Sequence, residues 1–180
     1  MVTDGRDLEK LFTRLLRPEG FRREGRNWRL DLPMLILIVN LQRSRWGESF
    51  YVNIGALVKA IRDEPWNIRD RERPRTEEAH FQIRLEQLFT DVSVVAPAAV
   101  SPAVGRMHEL LDLETAKIDP EARAKELAAI IEQRLLPFLR LCKDEDGLRA
   151  AIISIGSNAV GASGVLRKHL KLPDGMSPPD

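Results

Sequence analysis

The stretch that most constrains this chain is MLILIVNLQRSRWGESFYVNIGAL, residues 34–57. Two β-branched and aromatic runs flank a polar turn, the signature of a hairpin. Side chains alternate faces along a strand, so parity sorts these residues into two sets. Leu35, Leu37, Val39 and Leu41 share one face with Phe50, Val52, Ile54 and Ala56. In HFQIRLEQL, Phe81, Ile83 and Leu85 extend that wholly apolar set, which is the expected core.

The opposite face is mixed. Met34, Ile36 and Ile38 make one end of it apolar, an end expected to be covered by the C-terminal helices. Asn40, Gln42, Tyr51, Asn53, His80, Gln82 and Arg84 make the other end polar. If the hairpin closes in register, Asn40 and Gln42 lie beside Asn53 and Tyr51. A one-residue slip would exchange the faces and dissolve the pattern. A one-sided antiparallel sheet also shows polar residues to water, so a solvated face and a recognition face are both open readings. Gly55 marks either a bulge or the close approach of a ligand.

The rest of the chain supplies covers for this sheet. Leu8, Leu11, Phe12, Leu15 and Leu16 form a helical stripe, with Thr3 or Asp4 as cap and Pro18 and Gly20 as stop. Four strands are expected: about 25–30, 34–42, 49–57 and 80–85, joined as a meander. Residues 59–79, charged and carrying Pro65 and Pro74, read as a surface excursion. Residues 91–103 read as a linker packed on the surface. Helices are expected at 107–113, at 120–136 behind Asp119 and Pro120, at 146–153 and at 165–170, with Pro137 kinking or ending the second. The fold class is α+β: an N-terminal amphipathic helix on a four-stranded antiparallel meander, then C-terminal helices. Residues 5–142 are expected to form one domain, 143–172 a helical extension and 173–180 a disordered tail.

Composition narrows function. Twenty-eight basic and 27 acidic residues leave a net charge of +1, which gives no bulk attraction for nucleic acid or an anionic membrane. Cys142 is the single cysteine, so no intrachain disulfide forms, and it is expected to be a small buried hydrophobe. The opening MVTDGRDLEK has no apolar signal core and the longest early apolar run is too short to span a bilayer; a cytoplasmic location is expected. The sequence contains no GxGxxG, Walker loop or HExxH, and its three histidines are scattered, so neither cofactor nor metal is expected.

Three functional classes follow. The first is a non-enzymatic interaction domain with a protein partner, or self-association, that binds through Asn40, Gln42, Ser44, Arg45, Trp46, Tyr51, Asn53, His80 and Arg84. Arg45 and Trp46 on a protruding turn are the residue types of interface anchors, although Trp46 can instead fold back to close the hairpin. The second is RNA binding, with Arg22, Arg23, Arg26, Arg43 and Arg45 interleaved with Trp28 and Trp46. The third is a small hydrolase or transferase, with His80 as acid or base and Arg84 holding an anion.

One resemblance bears on these classes. Gly20, Phe21, Arg22, Arg23, Gly25 and Trp28, followed by Leu41, Gln42, Ser44, Trp46, Gly47, Phe50, Tyr51, Asn53 and Gly55, form a spaced pattern. In that pattern the chain resembles the prokaryotic domain of unknown function 4304 family over about residues 5–142. The resemblance implies a helix-plus-sheet fold and carries no mechanism or catalytic residue with it.

Overall fold

The computed structural model describes residues 1–62, 68–89, 102–156 and 161–172. The chain opens with helix α1 (Gly5–Leu16), whose N-cap is the Asp4 carboxylate accepting from Asp7 N–H. Gly20 ends the following turn at φ 93°, a left-handed conformation that favours glycine. The strands then run as an uninterrupted meander: β1 (Arg22–Glu24), β2 (Asn27–Asp31), β3 (Leu35–Arg43), β4 (Phe50–Val58) and β5 (Phe81–Arg84), every neighbouring pair antiparallel. There are five strands, where the sequence predicts four. The additional β1 is three exposed polar residues folded back on β2 through Gly25, at φ 59°. With no apolar face to alternate, it leaves no periodic signal.

Register follows the predicted parity. Leu37 pairs with Ala56, Val39 with Ile54, Asn40 with Asn53, Leu41 with Val52 and Gln42 with Tyr51. Across the next ladder Ile54 pairs with Ile83 and Asn53 with Arg84. The odd-numbered face of β3 sits in one large core with Leu8, Leu11, Phe12 and Leu16 of α1. Burying each such side chain contributes roughly 1.5–3 kcal/mol. Trp28 is fully buried there, tilted against Phe12 at 5.5 Å, and its indole N–H donates to Thr13 Oγ1 at 3.0 Å. Burial without that bond would leave a costly orphan donor.

The C-terminal helices join the same face as α1 and not the opposite one. They are α2 (Pro102–Leu111), α3 (Pro120–Ile130), α4 (Leu136–Leu141), α5 (Glu145–Ile155) and α6 (Gly164–His169). Leu110, Leu127, Leu135, Leu148, Ile152 and Leu166 all belong to the α1 core. Pro137 neither ends nor breaks the α3–α4 rod. Residues Ile131–Leu135 widen into a π-turn, with Leu136 N–H donating to Ile131 O. That widening takes up the carbonyl mismatch that a proline with no N–H creates one turn earlier.

Half of the second face of the sheet is covered by described residues of the β4–β5 connection, Ile68 and Ala79 among them. Ile36, Ile38, Leu57 and Ala79 form a small separate core, with Ile68 packed on it. Gly55 explains how the cover comes so close. A Cβ there would stand 3.0 Å from Ala79 Cβ and 3.1 Å from Thr76 Cγ2. Gly55 pairs regularly with both Ile38 and Gln82, so it marks no bulge, and the close approach it permits here is that of Ala79 and Thr76.

Residues 161–163 shield the outer edge of β5. Phe81 bridges Ala162, and Ser163 N–H donates to His80 O at 2.9 Å. Gly161 is seated where any Cβ would collide with the Gln82 carbonyl. An exposed edge strand invites pairing with another chain, and this segment removes that edge. The predicted tail 173–180 and nearly all of the predicted 91–103 linker lie outside the described residues.

Candidate functional site

The uncovered half of the second sheet face is a groove of about 730 Å³, lined chiefly by Arg26, Asn40, Gln42, Arg43, Asn53, Thr76, Glu77, Gln82, Arg84 and Gln87. Register places these side chains together: β3, β4 and β5 each present their even or odd polar set to one side. Asn53 Nδ2 donates to Asn40 Oδ1 at 3.0 Å and to Gln42 Oε1 at 2.9 Å, and Asn40 Nδ2 donates to Asn27 Oδ1 at 3.0 Å. The result is an amide chain across three strands. Gln82 Nε2 closes the far wall by donating to the carbonyls of Glu77 (3.0 Å) and Ala79 (3.1 Å).

Arg84 is exposed and lies over the Tyr51 ring at 4.7 Å. It has no carboxylate partner among the described residues. The other two arginines of the groove are spent on ion pairs, Arg26 to Glu9 at 2.8 Å and Arg43 to Glu48. Tyr51 is thus a platform under a guanidinium rather than an open stacking surface.

Two predicted site residues stand elsewhere. His80 is fully buried, and its Nδ1 accepts from Val58 N–H at 2.9 Å. That bond makes Nδ1 the unprotonated nitrogen of the ring. His80 occupies the apolar, covered half of the face and does not line the groove, which corrects its expected place beside Arg84 and Gln82. Trp28, read as a stacking surface, is core.

The hairpin tip joins the groove at Arg43. Trp46 is 95% exposed and does not fold back over the sheet. The tip under it is pinned: Ser44 N–H donates to Ser49 O (2.7 Å), Trp46 N–H to Ser44 Oγ (3.1 Å) and Glu48 N–H to Glu114 Oε2 (3.1 Å), while Leu113 N–H donates to Glu48 O (3.1 Å). Gly47 lies so close to the Glu114 carboxylate that a Cβ would collide with it. Arg45 is exposed beside Trp46.

The loop that holds the tip is itself held by a residue with no marker in the sequence. Arg123, 4% exposed on α3, donates to Leu110 O (2.9 Å), Asp112 O (2.7 Å) and Ala116 O (2.7 Å). Burial lowers its pKa from the usual arginine value. A polar position one turn into a helix looks solvent-facing until the 112–118 loop folds over it.

The fold and groove define a helix-on-meander α+β class. The model of the family described as Domain of unknown function (DUF4304) matches residues 12–141, and the chain belongs to that family. No curated protein and no solved structure matches it. The matched span begins within α1 and holds all five strands and α2–α4, and so the whole groove; α5, α6 and the segment covering the β5 edge lie beyond it. Among the described residues, no helix is long and apolar enough to cross a membrane.

Proposed function

We propose that this protein is a non-enzymatic binding domain that engages a protein partner through the Arg45–Trp46 hairpin tip and the adjoining amide groove. The observation that carries the reading is the presentation of Trp46. An indole almost wholly in water sits on a turn fixed by backbone and side-chain bonds to a second loop. A pre-ordered aromatic anchor spends little entropy on binding, and tryptophan with arginine dominates the energetics of interfaces.

The groove supports binding over catalysis because its polar groups are mainly amides and guanidinium groups, with Glu77 its one carboxylate among the described lining residues. The histidine suited to acid–base work is bonded to backbone away from it. A protein partner is also favoured over RNA. Arg23 and Arg26 pair with Glu9, Arg29 with Glu24 and Arg43 with Glu48, so much of the basic set is neutralised within the chain.

The test is quantitative capture from a lysate of the source cells, comparing wild type, Trp46→Ala and Arg45→Ala. The reading expects a partner retained by wild type and lost from Trp46→Ala. Equal recovery by the folded variants overturns it.

A further inference from the structure

We infer that the groove takes an extended acidic segment of the partner, with one of its carboxylates seated on Arg84; this rests on the binding reading above. Among the described residues, Arg84 is the groove's one arginine without a carboxylate partner, and Tyr51 holds its guanidinium plane in place. An ordered, unspent guanidinium is a receptor for a planar carboxylate, which it grips through two parallel N–H bonds.

The neighbouring groups suit a peptide backbone. Gln42 Oε1 and Asn53 Nδ2 are spent on each other, which leaves Gln42 Nε2 as a donor and Asn53 Oδ1 as an acceptor. Gln82 likewise spends both its bonds through Nε2 and keeps Oε1. Donor and acceptor side by side across adjacent strands match the alternating C=O and N–H of an extended chain. Thr76, 5% exposed on the groove wall, buries a hydroxyl that has no hydrogen-bond partner.

Charge points the same way. Arg26 and Arg43 are balanced by Glu9 and Glu48, and Glu77 lies 3.8 Å from Arg75, so the uncompensated charge of the groove among the described residues is the Arg84 guanidinium. A phosphate polymer fits less well. Single-stranded nucleic acid stacks successive bases on aromatic faces, but within the groove Tyr51 is covered by Arg84 and Trp28 is buried, which leaves the exposed Trp46 ring at the tip to take a single base.

The experiment titrates the full chain with ten-residue peptides alternating Glu or Asp with Ser, their Gln/Asn isosteres, Lys counterparts, and a single-stranded RNA decamer. Saturable binding of the acidic peptide alone is expected, weakening with salt and falling about tenfold in Arg84→Gln. Because Arg84 is exposed, that variant is expected to fold; a charge-reversed Arg84→Glu that prefers the Lys peptide gives independent support. Equal binding of acidic and isosteric peptides, indifference to Arg84→Gln, no binding at millimolar peptide, or tighter binding of RNA each overturns the inference. Capture that needs Trp46 but not Arg84 leaves the hairpin reading intact and removes this one. Acidic-peptide binding that needs Arg84 while capture ignores Trp46 does the reverse.

Discussion

Replacing Arg123 with methionine tests how the hairpin tip is held. The guanidinium makes three charge-assisted bonds to the carbonyls of Leu110, Asp112 and Ala116. Each such bond contributes roughly 1.5–3 kcal/mol. Two effects reduce the sum: methionine avoids the cost of burying a charge, and two of the three freed carbonyls, those of Asp112 and Ala116, lie on a part-buried loop near water, while that of Leu110 in α2 stays buried. The net loss expected for Arg123→Met is therefore about 3 kcal/mol, read as a lower urea midpoint at unchanged m-value. The damage should also be directional. The 112–118 loop supplies Glu114 and Leu113 to the tip, so hydrogen exchange at the Glu48 and Leu113 amides should speed up while the Val39–Ile54 ladder stays protected. A loss below about 1 kcal/mol, or tip amides exchanging as in wild type, would refute the claim that Arg123 organises this loop.

Three further outcomes are expected. Trp46→Ala should leave stability within about 0.5 kcal/mol, because an indole 95% exposed has almost no burial to lose; a large drop in urea midpoint would mean that it packs. Gly55→Val should cost roughly 1–3 kcal/mol by forcing the Thr76–Ala79 wall off the sheet, and unchanged stability would show that the wall yields freely. Burial pushes the Cys142 thiol up from 9.0 to about 12. Its folded form therefore keeps the proton while the unfolded form loses it. Stability from this group is complete below pH 9 and declines between about 9 and 12, by about 1.4 kcal/mol per pH unit. Wild type should thus lose more stability than Cys142→Ala between pH 8 and pH 10.5, and parallel losses would contradict the burial.

Sheet register was legible because a period of two leaves no freedom once one face is apolar: Leu35 to Leu41 and Phe50 to Ala56 fix which way Asn40 and Asn53 point. Strand β1 was not legible, being three polar residues held by Arg23 and Arg26 reaching Glu9 on α1. The cover of the second face differs from the expected C-terminal helices for a related reason. Residues 59–79 are charged and proline-bearing, and only a few apolar contacts, Ile68 and Ala79 among them, do the covering. Of the site, the polar positions on β3 and β4 and the exposed tip follow from local pattern. His80 and Arg123 do not, because their roles are set by backbone groups that folding brings to them: Val58 N–H for one, the carbonyls of Leu110 in α2 and of Asp112 and Ala116 in the following loop for the other.

The claim that the open half of the sheet is the recognition surface is tested most directly by NMR. Side-chain amide resonances of Gln42, Asn53 and Gln82, with Arg84 Nε, should shift saturably as the acidic peptide is added, while the Trp28 indole and the α5 amides stay in place. Shifts confined to β1 or the helices, with the groove amides unmoved, would contradict it.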